Sequence, residues 1–279
     1  MGKIGIHLSS YTPSWDDNVI PFIGISADIG YEAVEFPLMS PDTFDYQSAA
    51  AELKRYGLSC TCGTSVNPLE DPSSTDEEVR EAGIARLKKC VDICSYLEAD
   101  CLGGVLYAPW GQHLHRADTH ENKKHAISSI QRVSEYAKEK GIMLSLEILN
   151  RYESYFMNTM EEGIAFIHQV NRENVKLHFD TFHAHIEEKS IRTAIMQGKG
   201  YIGHVHLCDN NRAAPGSGAI DFMAVKDSLE RIGYDRYLMV ENFVIPDSDA
   251  GKEVCIWRRS AVSSLENARQ AFEYVSRCF

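Results

Sequence analysis

An α/β architecture, one (β/α)₈ TIM barrel spanning residues 1–279, is what this sequence predicts, and three observations carry the prediction. Eight short runs, apolar or alternating and rich in β-branched residues, each give way to a helical pattern before the next begins. The units recur at roughly 35 residues, which fills a barrel of ordinary length as a single domain. A doubly wound sheet would carry a glycine-rich turn after its first strand, and none follows Ile6.

Lys3 to Leu8 alternates as the first strand, and Asp16 to Ile29, closed by Gly30, reads as the first helix. Ala33 to Leu38 is the second strand; Asp45 to Arg55, with Gly57 behind it, is the second helix. Leu58 to Ser65 follows as the third strand. Thr75-Asp76-Glu77-Glu78 predicts a capping box, in which hydroxyl and carboxylate satisfy free amides ahead of a helix with Ile84, Leu87, Val91 and Cys94 on one face. Cys101 to Tyr107 is the fourth strand, and the loop from Ala108 to Thr119 carries Trp110, His113 and His115. Ile127, Ile130, Val133 and Ala137 mark the next helix, stopped by Gly141. Met143 to Leu149 is the fifth strand, and Thr159-Met160-Glu161-Glu162 opens a helix with a second capping box. Val175 to Thr181, a short helix around Ile191 to Met196, and Ile202 to Cys208 follow in turn. After a loop from Asn210 to Ala219 come a helix over Phe222 to Ile232, an eighth strand over Tyr237 to Phe243, and a closing helix over Ser260 to Ser276.

A formal charge of -12 argues against nucleic acid as a partner, because phosphate binding needs clustered cations. Small solutes or proteins remain. The start, Met1-Gly2-Lys3-Ile4-Gly5-Ile6, runs directly into a strand pattern, and no stretch approaches the ~20 apolar residues that span a bilayer, so a cytoplasmic protein without membrane contact is expected. Neither Cys60 with Cys62 nor Cys90 with Cys94 has the two-residue gap of a zinc knuckle, which reads as buried thiols. Cys62, near a strand end, is the one expected to touch a ligand.

Chemistry in such barrels gathers at the carboxyl ends of the strands. Glu147, Asp180, His206 and Glu241 end the fifth to eighth predicted strands, so four neighbouring strands aim four ligands at one place. A lone glutamate at a strand end is usually a solvated rim residue or a helix cap, but four consecutive strands finishing this way define a site. Three carboxylates and an imidazole suit a hard divalent ion, Mn²⁺, Mg²⁺ or Co²⁺. His178 and His204 read instead as hydrogen-bonded core histidines. Glu153, His183 and Arg212 follow their respective ligands in the same loops, positioned to hold the hydroxyls of a polyol. Trp15, Trp110 and Phe243 offer aromatic faces, either for a sugar or for packing.

The segments Leu102-Gly103-Gly104 with Trp110, Glu147-Ile148-Leu149-Asn150-Arg151-Tyr152-Glu153, Asp180-Thr181-Phe182-His183, Gly203-His204-Val205-His206, Asn211-Arg212 with Pro215-Gly216-Ser217-Gly218, Glu241-Asn242-Phe243-Val244 and Trp257-Arg258 together carry a family resemblance. The chain resembles the xylose isomerase-like barrels and, within them, the ketose 3-epimerases that act on free sugars, the D-tagatose and D-psicose (allulose) 3-epimerases. That resemblance implies that Glu147, Asp180, His206 and Glu241 hold one divalent ion, Mn²⁺ foremost, and that Glu147 and Glu241 are also the catalytic pair. It further implies that Glu153, His183 and Arg212 bind the sugar, with Trp110, Trp15, Cys62 and Phe243 lining the pocket, and that the protein is a homodimer or homotetramer. The implied reaction inverts C3 of a free ketose, of the D-fructose/D-psicose, D-tagatose/D-sorbose or L-ribulose/L-xylulose type, through a metal-bound cis-enediolate. The first loop, His7 to Trp15, departs from the more aromatic run of the D-psicose enzymes and leaves the preferred ketose open.

Rival readings stay in view. A sugar-phosphate isomerase or epimerase would want several cations around a phosphate, and the expected pocket offers mainly Arg212. An inosose-type dehydratase would keep the metal but eliminate water. A non-catalytic sugar-binding protein would show no hydrogen exchange at any carbon.

Overall fold

Apolar and polar positions alternate along nearly every strand, and the alternation closes on itself. β1 (Ile4–His7), β2 (Ala33–Pro37), β3 (Ser59–Val66), β4 (Cys101–Pro109), β5 (Met143–Glu147), β6 (Val175–Asp180), β7 (Ile202–Leu207) and β8 (Leu238–Val240) pair in parallel in chain order. β1 pairs with β2 through Gly5–Ala33 and with β8 through Gly5–Met239, which shuts the barrel. The computed structural model describes residues 2–112 and 119–279, so the predicted loop residues His113 and His115 lie outside the described residues.

One strand face carries Val34, Phe36, Cys60, Cys62, Leu144, Leu146, Leu177, Phe179, Val205 and Leu207, all buried in the main apolar core. The alternate positions hold Glu35, Thr61, Ser145, His178, His204 and His206, equally buried but polar. The barrel thus has an apolar outer shell and a polar interior. Around the shell run α1 (Pro21–Ile29), α2 (Tyr46–Tyr56), α3 (Glu77–Tyr96), α4 (His120–Glu139), α5 (Met160–Val170), α6 (Thr181–Glu187), α7 (Ile191–Gln197), α8 (Phe222–Ile232), α9 (Asp249–Glu253) and α10 (Ser264–Cys278). None of the described helices is long and apolar enough to cross a membrane.

Several boundaries move for physical reasons. The first helix begins at Pro21 rather than Asp16, because proline is preorganised for the first helical position and Asp17 is engaged in a turn, its carboxylate accepting from the Ser14 amide at 2.9 Å. A short 3₁₀ turn, Leu8–Tyr11, intervenes before it. The capping box at Thr75 does not form: Asp76 is the cap and accepts from the Glu78 amide at 2.9 Å. Its counterpart at Thr159 forms fully, with Glu162 returning to the cap amide. The helix after β6 is two helices, α6 being capped by Asp180 itself. β8 stops at Val240, so Glu241 stands one residue beyond the strand.

Candidate active site

Each expected ligand is delivered by a local hydrogen-bond device. Tyr107 Oη on β4 donates to the Glu147 carbonyl at 2.8 Å and fixes the end of β5. Thr181 Oγ1 donates to the Cys208 carbonyl at 2.7 Å and accepts from its amide at 2.9 Å, which locks the ends of β6 and β7 together. The Glu241 amide donates to Leu207 O at 3.2 Å, extending the β7–β8 register past the strand. Asn242, fully buried, then ties this segment to the Arg212 loop by donating to Ala213 O at 2.8 Å.

That loop is itself built around one carboxylate. Asp209 accepts from the amides of Asn210, Ile220, Gly216 and Gly218, the last at 2.8 Å. A Cβ at Gly218 would lie 2.3 Å from Asp209 Oδ1, so only glycine fits there. The result holds Arg212 in the left-handed region, φ 61°, with its guanidinium over the Phe182 ring at 3.8 Å.

Glu147, Asp180 and His206 each offer a ligand atom within 4.8 Å of the others. Glu241 completes the arc differently: its Oε1 is 3.6 Å from His206 Nδ1, and its Oε2 accepts from Arg212 Nη1 at 3.3 Å. The same Nη1 is 3.7 Å from Asp180 Oδ2. Glu153, also expected from the sequence, accepts from Arg212 Nη2 at 3.3 Å, Asn150 Nδ2 at 2.9 Å and Trp110 Nε1 at 3.0 Å. His183 Nδ1 accepts from the Asn150 amide at 3.2 Å, and its Nε2 lies 3.8 Å from Glu147 Oε1 and 3.5 Å from Arg212 Nη2.

Trp15, Trp110 and Phe243 form the rim. Trp15 meets both other rings edge-on at 5.7 and 5.5 Å, and its Nε1 donates to Glu253 Oε2 at 2.7 Å. Together with Val254 and Ile256 they make a small apolar cluster, joined to the main core through Trp110, beside a solvent-open cleft of about 570 Å³. Cys62 is the exception among the expected pocket residues. It sits on the outer face of β3, fully buried against Cys94 of α3, and does not line the cavity. Strand parity decides this, since Thr61 and Gly63 on either side face inward. All eight cysteines are free thiols.

Burial drives the electrostatics. Burial raises the Glu147 carboxyl well above the usual carboxylate range, with Glu241 and Asp180 pushing the same way against His206 and Arg212. Burial would raise Glu241 as well, but His206, His7 and Arg212 outweigh it and hold that carboxyl down to about 2. His206 would be lowered by burial, yet Glu35 and Glu241 overcome this and raise it well above its ordinary value. His183 is lowered by burial and stays neutral. Arg212 is the one permanent cation lining the cavity among the described residues, against Glu35, Glu147, Glu153 and Glu241. Asp180 Oδ2 and His206 Nδ1 are both buried without a hydrogen-bond partner. Surplus negative charge, orphaned ligand atoms and an oxygen-rich set fit a hard divalent cation, which would take the place of the proton that His206 otherwise attracts.

Sequence reasoning missed Glu35 and the cavity-lining His7, and it took the buried His178 to be hydrogen-bonded. Glu35 on β2 accepts from His204 Nε2 at 2.5 Å and from His206 Nε2 at 3.2 Å. Despite burial, which would raise it, the two imidazoles hold its carboxyl well below the usual range. His204 is hydrogen-bonded, as expected, but both nitrogens of His178 lack a partner. His7, at the end of β1, lines the cavity with its Nδ1 likewise unpartnered. The available signal for Glu35 was a lone acid inside the otherwise apolar Ala33-Val34-Glu35-Phe36.

A closed parallel barrel with carboxylates and imidazoles converging at the carboxyl ends of its strands defines the class: a (β/α)₈ barrel with a side-chain cluster that could hold a metal ion. A family model described as xylose isomerase-like TIM barrel matches residues 23–269, and the chain belongs to that family. The ketose 3-epimerase of Arthrobacter globiformis is 32% identical over 276 residues, covering 98% of this chain and 95% of that one. The L-ribulose 3-epimerase of Methylomonas sp. (strain DH-1) is 32% identical over 90% of this chain and 88% of its own length. A crystal structure of D-allulose 3-epimerase from Methylomonas sp. in complex with D-allulose superposes with a TM-score of 0.94 at 30% identity, covering 100% and 97% of the two chains. Within the xylose isomerase-like barrels the chain therefore belongs with the ketose 3-epimerases, and it is an enzyme of the carbohydrate isomerase class.

Proposed function

We propose that this protein inverts the configuration at C3 of a free ketose, using one divalent cation held by Glu147, Asp180, His206 and Glu241. The convergence of Glu147, Asp180 and His206 within 4.8 Å, with Glu241 next to His206, is the observation that carries this reading. When bound, the ion supplies Lewis acidity that makes the hydrogen on C3 acidic enough to leave. Mn²⁺ is the ion favoured here, with Mg²⁺ and Co²⁺ compatible with the same donors.

One of the two glutamates takes the C3 proton from its face of the sugar, and the other returns a proton from the opposite face, which inverts the centre. The neutral His183 donates its Nε2–H to charge growing on O2. His206, His7 and Arg212 together keep Glu241 ionised, and Arg212 orients Glu153, which accepts from sugar hydroxyls at the far side. Trp15, Trp110 and Phe243 wall the apolar side and exclude water. Relatives named for L-ribulose, D-psicose and D-allulose support ketoses of five or six carbons as candidates. The protein is further proposed to act as a single barrel domain, in the cytoplasm, as a homodimer or homotetramer.

Incubation with Mn²⁺ and each of D-fructose, D-psicose, D-tagatose and L-ribulose in deuterated water tests the proposal. Deuterium at C3 is the expected result. Label at C1 or C2 would identify an aldose-ketose isomerase instead, and no label on any of the four would reject catalysis on these sugars.

A further inference from the structure

We propose that Glu35 is a positioning residue for the cation centre: it fixes His206 in the orientation that turns Nε2 to the Glu35 carboxylate and Nδ1 to Glu241. The inference rests on the cation-dependent reading above. Glu35 sits inside the barrel on β2, 1% exposed, below the layer of strand-end ligands. Its Oε1 accepts from His206 Nε2 at 3.2 Å, while its Oε2 accepts from His204 Nε2 at 2.5 Å and from Thr61 Oγ1 at 2.8 Å. Three donors from β3 and β7 therefore converge on one carboxylate carried by β2.

The barrel wall is shaped for it. A Cβ at Gly63 would stand 2.8 Å from Glu35 Oε1, so glycine there leaves the room that the carboxylate occupies. A carboxylate can only accept, so the proton of the His206–Glu35 contact belongs to Nε2. Nδ1 is then the nitrogen that offers a lone pair once a cation displaces its proton, and it is the one buried without a hydrogen-bond partner, 3.6 Å from Glu241 Oε1. A ligating imidazole commonly donates its second N–H to a carboxylate, which sets the ring's orientation and raises its basicity toward the metal. His204 and Thr61 face Glu35 from the other side. They satisfy the other oxygen of Glu35 and stop the carboxylate from rotating away.

Without Glu35 the His206 ring has no partner at Nε2. The ring is then free to carry its proton on Nδ1 instead, which blocks ligation.

The test measures Mn²⁺ binding to the full chain from the electron paramagnetic resonance signal of free Mn²⁺, for wild type, Asp180→Asn, Glu35→Ala, Glu35→Gln and Glu35→Met. Wild type is expected to bind one Mn²⁺, and Asp180→Asn to lose it. Glu35→Ala is expected to weaken Mn²⁺ affinity by about 10–100-fold. Glu35→Gln, whose amide oxygen still accepts from His206, is expected to recover part of that loss, and Glu35→Met, which keeps the bulk without an acceptor of that kind, is not. If wild type and Asp180→Asn behave as stated while the Glu35 variants all bind Mn²⁺ with wild-type affinity, the positioning role is overturned and the metal reading stands. The role is overturned in the same way if the variants lower only the melting temperature of the metal-free protein. Absence of Asp180-dependent binding in wild type overturns both. Should Glu35→Ala fail to fold, Glu35→Gln decides by its Mn²⁺ affinity alone.

Discussion

The two halves of the barrel contribute to the mouth in opposite ways. β5 to β8 each present, within one residue of their ends, a charged or imidazole side chain that faces its neighbours around the proposed cation site. β1 to β4 contribute space and support: glycines at Gly63 and Gly104, the unpartnered His7, and Glu35 set deeper in the interior. Gly104, with φ 107°, brings β4 so close to β3 that a Cβ there would lie 2.2 Å from Thr64 O. Reactive groups are crowded onto one side, and the other side is kept small enough for a substrate to lie against. Asymmetry of this sort separates residues that act from residues that make acting possible.

If the second half carries the chemistry, Glu241→Gln should show the largest effect of any change at the mouth. Turnover is expected to fall by about 10²–10⁴-fold, and C3 deuterium exchange measured alongside should fall in parallel. A normal rate in that variant breaks the division.

Arg212→Ala comes next. It leaves Glu153 and Glu241 without their cation, at a cost to stability of about 3–5 kcal/mol, read from denaturant midpoints. Turnover should drop further than Mn²⁺ occupancy does, because Arg212 supports the carboxylates rather than the ion.

His178 sharpens the comparison from inside the barrel. Burial, aided by the nearby His206 and His204, lowers it well below 6.5, so the native state excludes a proton that the unfolded chain accepts. Its contribution to stability is therefore complete above pH 6.5 and shrinks as the pH falls below that value. In the metal-free protein the decline approaches about 1.4 kcal/mol per pH unit. His178→Leu should flatten that slope, with turnover little changed, in urea titrations run on either side of about pH 6.5.

Trp15→Phe should give the smallest effect. The ring contacts to Trp110 and Phe243 survive, and only the hydrogen bond to Glu253 is lost, worth about 1 kcal/mol. KM is expected to rise by less than about tenfold, with kcat unchanged.

Legibility in the sequence followed the same division. The strand-end ligands could be read because a charged residue closing an apolar run stands out, and Glu147, Asp180 and His206 do lie together. Phe222–Ile232 was bounded to the residue, since Asp221 caps it and Gly233 ends it in the left-handed region. Parity along a strand was the harder matter. One residue separates the inward Thr61 from the outward Cys62, and nothing local in Cys60-Thr61-Cys62 says which faces the cavity. Glu35 escaped for a related reason: its partners His204 and His206 come from a strand far away in the chain, and a linear reading cannot pair β2 with β7.

Asp209 has one more consequence. With four amides bound to a single buried carboxylate, the segment from Asn210 to Ile220 has no small motion available that keeps those bonds. If Arg212 binds sugar as proposed, it does so from a pose this loop already holds, and the ordering cost of binding is lowered accordingly. Half-buried Trp15 on the rim is tied more lightly, by one hydrogen bond to Glu253 and edge contacts with Trp110 and Phe243.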